Sequence, residues 1–153
     1  MTEELGSVLV EAINDEYMAR AMYRRVIEKF GEVRPFVNIV EAESRHIQAL
    51  LPLFRKYGIP VPEDDWGSRV AVPASVLEAC KAAVQAEIAN ADMYARLLDA
   101  TTQYRDVQAV LRQLQRASKE NHLPAFQRCV ARGEGGGAGR GMGRQRRRGQ
   151  GSR

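Results

Sequence analysis

Five side chains in this sequence combine the chemistry and the helical spacing of metal ligands: Glu16, Glu43, His46, Glu87 and His122. Glu43 and His46 lie one helical turn apart, on the same stripe as the surrounding apolar residues, so both face the predicted core. A Glu-x-x-His step that faces the inside of a helical bundle is the arrangement that holds di-iron and di-manganese centres. On its own, this four-residue match predicts no more than a buried ion pair, because an ionised carboxylate is costly to bury without a partner.

The periodicity of apolar residues predicts an all-α protein built from four amphipathic helices. These helices run from about Thr2 to Phe30, Pro35 to Tyr57, Ala74 to Ala100 and Tyr104 to Arg132. Each helix carries at least one of the ligand candidates in the middle of its apolar face. Four helices that direct such groups inward predict a common site, and we therefore prefer a metal site to an isolated ion pair.

The lengths of the connections between the helices predict the topology of the bundle. The link between the first two helices is so short that these helices must be antiparallel neighbours. The segment from Gly58 to Val72 has 15 residues, which reach about 50 Å when extended. A helix of 24 residues is only about 36 Å long. The segment can therefore cross the whole bundle, so that helix three runs parallel to helix two, and Trp66 is expected to pack the segment onto the bundle.

The two halves of the chain resemble each other. Residues 16–23 match residues 87–94, with a tyrosine seven residues after each glutamate, and the residues from His46 match those from His122. The sequence thus predicts a duplicated helical hairpin with two equivalent half-sites. The tyrosines, Tyr23 and Tyr94, are expected to pack in the core with satisfied hydroxyl groups, or alternatively to support the ligands or take part in redox steps.

The ligand candidates divide into three roles in a dinuclear interpretation. Glu16 and Glu87 would each serve one metal, Glu43 would bridge the two, and His46 and His122 would each bind one. A mixed carboxylate and imidazole set suits iron, manganese or zinc. Around these ligands, Asn90 is a candidate weak ligand or hydrogen-bond donor, and two neighbours of His122 could orient its ring, Ser118 and Asn121.

One position departs from the dinuclear pattern. A second Glu-x-x-His step would place glutamate three residues before His122, but that residue is Lys119, and Glu120 lies about 100° further round the helix. Pro124 permits a local distortion, because it cannot donate to the Glu120 carbonyl. A cation beside two metals is unfavourable, and Lys119 could instead replace one metal and pair with a buried carboxylate. Three states therefore stay open: a dinuclear site, a mononuclear site and a metal-free buried ion network.

The C-terminal segment differs in composition from the rest of the chain. Residues 133–153 contain nine Gly, six Arg and one Glu, so they carry a net charge of +5 and leave residues 1–132 at −1. This composition predicts a helical domain over 1–132 and a disordered tail over 133–153. Segments rich in Arg and Gly can bind nucleic acid or another anionic partner, although a solvated tail without a partner is the simpler expectation.

The remaining features set the expected environment of the protein. Cys80 and Cys129 lie on apolar stripes far apart in the sequence, so we expect buried small hydrophobic residues rather than a disulfide. The N-terminal residues lack the apolar stretch of a secretory signal, and no apolar run is long enough to span a membrane. These features predict a cytoplasmic protein without a membrane partner, and a homodimer is a reasonable expectation for a helical bundle.

The candidate residues also carry a resemblance to the ferritin-like superfamily in the broad sense that includes rubrerythrins. More closely, the chain resembles an uncharacterised ferritin-like family known only as a domain of unknown function. The resemblance covers about Glu4 to Val130. The matching elements are Asp15-Glu16-Tyr17, Phe36-Val37-Asn38-Ile39 with Glu43-x-x-His46, Glu87-x-x-Asn90 and, most specific of all, Asn121-His122-Leu123-Pro124-Ala125-Phe126.

The resemblance implies a ferritin-like bundle of di-iron ancestry but no particular reaction. We therefore expect a protein that binds one or two iron ions, with manganese or zinc as alternatives, and that reacts with dioxygen or peroxide as an oxidase or peroxidase. No Cys-x-x-Cys rubredoxin module is present to supply electrons. The rival expectation is a non-enzymatic bundle in which Lys119 and the carboxylates form a buried network, acting as a structural or interaction module.

Overall fold

The helices of the computed structural model, which describes residues 2–137, follow the apolar periodicity of the sequence. The described residues contain five α-helices and no strand: α1 Thr2–Phe30, α2 Phe36–Tyr57, α3 Val76–Asp99, α4 Arg105–Ala117 and α5 Leu123–Gly137. The prediction of an all-α bundle is confirmed, and the ends of the first three helices fall within two residues of the predicted ones.

Local signals in the sequence explain where these helices begin and end. Gly31 and Gly58 follow α1 and α2 with φ angles of 91° and 65°, a left-handed conformation that glycine adopts without strain. Ser75 caps the start of α3, where its hydroxyl accepts a hydrogen bond of 3.1 Å from the backbone N–H of Glu78. Such a cap satisfies one of the free N–H groups of the first helical turn.

The fourth predicted helix is interrupted. It consists of α4 and α5 joined by a π-helical turn, Ser118–His122. In this turn the backbone N–H of Leu123 binds the carbonyl of Ser118, and Pro124 has no N–H for the carbonyl of Glu120. A π-helical turn inside a helix commonly marks a functional site. At its far end, α5 extends through Gly137, five residues into the segment predicted as a disordered tail, and the rest of that segment lies outside the described residues.

The segment between α2 and α3 crosses the length of the bundle along α1. Four side chains of α1 bind successive points of it in the same order: Tyr17 to Pro62, Arg20 to Asp64, Arg25 to Gly67 and Lys29 to Pro73. Trp66 packs against the core, and its indole N–H donates to Asn14 at 3.2 Å. Because α3 is antiparallel to α1, it runs parallel to α2, as the length of the segment predicts.

Two apolar clusters fill the bundle, one towards each end, and the candidate ligands lie between them. The first cluster includes Leu5, Leu9, Leu53, Phe54, Tyr94, Leu97 and Leu111. The second includes Tyr23, Phe36, Ala83, Cys80, Phe126 and Cys129. No helix among the described residues is long and apolar enough to cross a membrane.

The prediction of two unbonded cysteines is wrong. Cys80 on α3 and Cys129 on α5 form a disulfide, with their Cα atoms 6.1 Å apart. Both residues are buried, as expected. The sequence places them on apolar stripes, but it does not reveal that these stripes face each other at the same height, because the register between two helices is set by packing.

Candidate metal centre

All five predicted ligand residues come together in the middle of the bundle. α1 supplies Glu16, α2 supplies Glu43 and His46, α3 supplies Glu87, and the π-helical turn supplies His122. Four of these side chains are buried, and His46 is partly buried. The alignment of four helices, rather than any local motif, therefore builds this cluster.

The five residues form two groups that share one carboxylate. Ligand atoms of Glu16, Glu43 and His46 lie within 4.8 Å of one another, and so do those of Glu43, Glu87 and His122. The two imidazole rings are stacked, with their centroids 5.4 Å apart and their planes at 17°. Each group thus offers carboxylate oxygen and imidazole nitrogen, and Glu43 lies between them as the dinuclear interpretation predicts.

The surroundings of Glu43 test whether the cluster fits a bound cation. His46 Nδ1 lies 3.1 Å from an oxygen of Glu16 and 3.1 Å from Oε1 of Glu43. The second contact lacks the geometry of a hydrogen bond, so Oε1 of Glu43 is buried without a donor among residues 2–137. Because buried polar atoms almost always have a partner, an unpaired carboxylate oxygen beside two imidazoles fits a bound cation.

The two tyrosines of the repeat hold the glutamates of the opposite half. Tyr23 on α1 donates to Oε2 of Glu87 at 2.7 Å, and Tyr94 on α3 donates to Oε2 of Glu16 at 2.5 Å. Both tyrosines are fully buried. The predicted core packing with a satisfied hydroxyl is therefore present, and the satisfying group in each case is a candidate ligand.

Burial and mutual repulsion shape the charges of the cluster. Burial raises the pKa of Glu43 well above its ordinary value, and the neighbouring Glu16 carboxylate raises it further. Burial also opposes ionisation of Glu16, but hydrogen bonds from His46, Glu43 and Tyr94 outweigh it and lower the pKa of Glu16 to about 2. The pKa values of the two neighbouring carboxyl groups therefore shift in opposite directions, downward for Glu16 and upward for Glu43.

The π-helical turn decides which residues on the fourth helix reach the cluster. Ser118 is buried, and its hydroxyl donates to Oε1 of Glu87 at 2.6 Å and lies 3.1 Å from the carbonyl of Glu87. It contacts the glutamate rather than the ring of His122 that we expected it to orient. Nδ1 of His122 lies 3.5 Å from Oε1 of Glu87.

Two predicted neighbours of the cluster are not part of it. Lys119 and Asn121 are exposed, so the expected pairing of Lys119 with Glu43 or Glu87 is absent, and Asn121 does not orient the ring of His122. The extra residue in the π-helical turn rotates Lys119 outward and leaves Ser118 in the inward position. Sequence spacing alone, read as a regular α-helix, could not predict this rotation.

Asn90 acts as a hydrogen-bond donor, one of its two predicted roles, and it reveals a residue that was not among the predicted site residues, Asp15. Its amide donates to Asp15, and it lies 3.5 Å from Oε2 of Glu16. Burial raises the pKa of Asp15 to about 6, and the nearby carboxylates Glu16 and Glu87 add to this rise. The Asp-Glu pair in the sequence gave the only signal, since two adjacent acids on a mostly apolar face are costly to bury.

A cavity of about 270 Å³ connects the outside of the bundle with one half of the cluster. It lies between α1, α3 and the crossing segment, and its lining includes Met18, Met22, Ala86, Asp15, Asn90 and Glu87. The walls are mostly apolar, and the polar residues that line the cavity include Glu87 of the cluster, Asp15 and Asn90 beside it, and Arg69 of the crossing segment. A small molecule could therefore reach Glu87 without passing through the apolar cores.

These features define a helical bundle with a buried carboxylate and histidine cluster at its centre. Residues 7–138 match the family described as an uncharacterized protein domain, DUF2202, and the chain belongs to this family. It is also similar to the crystal structure of a hypothetical protein, MJ0754, from Methanococcus jannaschii DSM 2661. That similarity has a TM-score of 0.75 at 24% identity and covers 84% of this chain and 81% of the other. No curated protein matches the chain.

Proposed function

We propose that this protein is a ferritin-like metalloprotein that binds two iron ions and uses them to reduce dioxygen or peroxide. The observation that carries the proposal is the pair of ligand groups that share Glu43. Ferritin-like di-metal bundles place a glutamate or a Glu-x-x-His step from each helix at such a centre. The long crossing segment between α2 and α3 supports the same fold class, since this class has one long connection.

The ligand set suits the charge of two divalent ions. Glu16, Glu43 and Glu87 provide three carboxylates, and two imidazoles complete the set. This mixture suits iron or manganese, while zinc would bind without redox chemistry. Iron supplies one electron per ion when it changes from the divalent to the trivalent state, so two ions would provide the two electrons that convert peroxide to water.

The side chains of the chain would prepare the centre for this chemistry. Tyr23 and Tyr94 fix the orientation of Glu87 and Glu16 by their hydrogen bonds, and such supporting contacts tune metal affinity. Burial raises the pKa of Glu43, and a bound cation would favour the ionised form of this carboxyl group. The apolar clusters on both sides exclude water, and the cavity beside Glu87 offers the oxidant a path.

The rival function, a bundle stabilised by a buried lysine and carboxylate network, has less support. Lys119 is exposed, so the described residues place no lysine at the cluster. A metal-free form of the rival would rest on tyrosine, serine and histidine contacts to the carboxylates. That form leaves Oε1 of Glu43 without a donor in the part of the chain that the structure describes, although a structural network would be expected to satisfy this oxygen.

Metal content tests the proposal directly. We expect about two irons per chain after expression in iron-supplemented medium, and loss of most of this iron in Glu43→Gln, because Glu43 serves both groups. Glu41→Gln is the matched control, since Glu41 is an exposed glutamate on the same helix. A folded protein that takes up no iron, manganese or zinc would overturn the proposal, and about one ion per chain would restrict it to a mononuclear centre.

The expected partners beyond this centre stay predictions. A solvated tail without a partner is the simpler expectation for residues 133–153, and the alternative is binding of nucleic acid or another anionic partner with strong salt dependence. A chain that ends at Arg132 should lose this binding, and equal binding by both chains would exclude the tail. The homodimer and the cytoplasmic location are likewise predictions, which sedimentation and cell fractionation would test.

A further inference from the structure

Each cysteine of the Cys80–Cys129 disulfide lies seven residues from a candidate ligand of the proposed metal centre. Cys80 lies seven residues before Glu87 on α3, and Cys129 lies seven residues after His122. Seven helical residues correspond to about 10 Å along the helix axis. Both sulfur atoms are therefore carried by the elements that supply the ligands of one half of the centre, and both lie two turns away from it.

Packed aromatic rings lie between the disulfide and this half of the centre. Phe126 falls between His122 and Cys129 in the sequence, and its ring centroid lies 5.3 Å from that of Tyr23. Tyr23 in turn donates to Glu87 at 2.7 Å. Because Tyr23, Phe126 and both cysteines belong to one buried cluster, a continuous path of packed side chains joins the sulfur atoms to a ligand.

The first half of the repeat shows that packing does not require cysteine at these positions. The residues seven before Glu16 and seven after His46 are Leu9 and Leu53, and both are buried in the first cluster. Leucine therefore satisfies the equivalent positions in the first hairpin. The cysteine pair of the second hairpin therefore adds a covalent bond or a redox couple that is not needed for packing at these positions.

The two cysteines of the disulfide differ in their access to solvent, and only Cys129 borders the protein surface. Cys80 is fully buried, while Cys129 is 6% exposed and lines a surface depression of about 430 Å³ together with Arg34 and Arg132. Thiol–disulfide exchange needs access to only one sulfur of the bond. The two arginines would attract an incoming thiolate to Cys129 by their charge.

We propose that Cys80 and Cys129 form the electron reservoir of the metal centre, an inference that rests on the proposed function. In the reduced form, the two S–H bonds break and the S–S bond forms, which releases two electrons and two protons. One electron would return each oxidised ion to its divalent state, so the two electrons of one dithiol would match a centre of two ions. In the overall reaction, one dithiol and one hydrogen peroxide give one disulfide and two water molecules. An external dithiol then restores the two thiols by thiol–disulfide exchange.

Thiol oxidation in the full chain tests this inference without relying on turnover. The protein is reduced with dithiothreitol, freed of reductant, loaded with ferrous iron without oxygen, and mixed with one equivalent of hydrogen peroxide. Free thiols are then counted by alkylation and intact-mass measurement. We expect one disulfide to form per peroxide, at least tenfold faster in the iron-loaded chain than in the metal-free chain.

Two variants separate the steps. In Glu43→Gln, which should lose iron, thiol oxidation should fall to the metal-free rate. In Cys80→Ala/Cys129→Ala, iron should bind as before, but after one oxidation by peroxide its absorption should persist with dithiothreitol present, whereas the natural chain should return to the ferrous form. Circular dichroism checks that each variant is folded, and the comparison of loaded and metal-free natural chain does not depend on either variant.

The outcomes distinguish this inference from the proposed function. If the natural chain binds iron and consumes peroxide while its thiols stay free, or oxidise at the metal-free rate, the reservoir is excluded and the disulfide only joins α3 to α5. If the natural chain binds no metal, both the inference and the proposed function fail. Metal-dependent formation of one disulfide per peroxide would support both.

Discussion

The two hairpins of the bundle place the same glutamate, histidine and tyrosine at the same positions, yet they surround them differently. In the hairpin of α1 and α2, Asp15 precedes the glutamate, and Glu43 is the carboxylate one turn before the histidine. In the hairpin of α3, α4 and α5, Ala86 takes the place of Asp15, and Ser118 is the inward residue before His122. The repeat thus preserves the ligands, while the differences create one shared carboxylate instead of two.

The differences also decide which half is open. Asp15 and Asn90 bind each other across α1 and α3, and their repeat equivalents, Ala86 and Ala19, are small residues that line the cavity. The small side chains leave space beside Glu87, and the Asp15–Asn90 pair lines the same cavity. The cavity among the described residues therefore borders the Glu87 half of the candidate centre.

The largest expected effect concerns the disulfide, which only the second hairpin possesses. Cys80→Ala/Cys129→Ala should lower the free energy of unfolding by about 4 kcal/mol, because a bond across 49 residues restricts the unfolded chain. Urea unfolding with and without reductant measures this. Reductant should destabilise the natural chain and leave the variant unchanged; an equal response of both would contradict a stabilising bond.

The second hairpin has no inward carboxylate before His122 that would correspond to Glu43. Introducing one should give the next largest effect on stability. Ser118→Glu should destabilise the metal-free protein by about 3 kcal/mol, because it buries another carboxylate beside Glu87 without a counter-charge, and iron should restore most of this loss. The matched control is Lys119→Glu, which changes an exposed residue and should stay within about 0.5 kcal/mol. Thermal unfolding with and without iron distinguishes them. A larger effect at Lys119 would mean that the turn is a regular α-helix.

The crossed tyrosines provide a matched pair of smaller changes. Tyr23→Phe should cost about 2 kcal/mol, because it leaves a buried carboxylate with one hydrogen bond fewer. Tyr94→Phe should cost less, since Glu16 keeps contacts from both His46 and Asn90. Chemical denaturation of the two metal-free variants gives the comparison, and the reverse order would show that Glu87 is the better satisfied carboxylate.

The smallest expected effect is the pH dependence of stability that Asp15 gives to the first hairpin. The pKa of Asp15 rises to about 6 in the folded protein, so the folded state holds this proton more tightly than the unfolded chain. The metal-free protein should therefore lose stability as pH rises from about 4 through 6. Asp15→Asn should remove about 1 kcal/mol of that loss, measured by urea unfolding at pH 5 and 7.5. Asp92→Asn, an exposed control on α3, should leave the pH dependence unchanged.

The sequence by itself determined the first three helices and the identity of the candidate ligands. Apolar periodicity, glycine C-caps and the length of the crossing segment are local properties, so they predicted the first three helices and the direction of α3. The inward positions of Glu16, Glu43 and Glu87 followed from the same periodicity, because burying a carboxylate in the middle of an apolar stripe is unfavourable without a purpose.

Only the tertiary structure decided how these groups meet. The π-helical turn left Ser118 on the inward face and turned Lys119 to the surface, and regular helical spacing does not predict this position of Lys119. The pairing of Cys80 with Cys129 and the crossed contacts of Tyr23 and Tyr94 depend on the register between facing helices. Side-chain packing sets that register across the whole bundle, so residues far apart in the chain determine it together, and no single stretch of sequence reveals it.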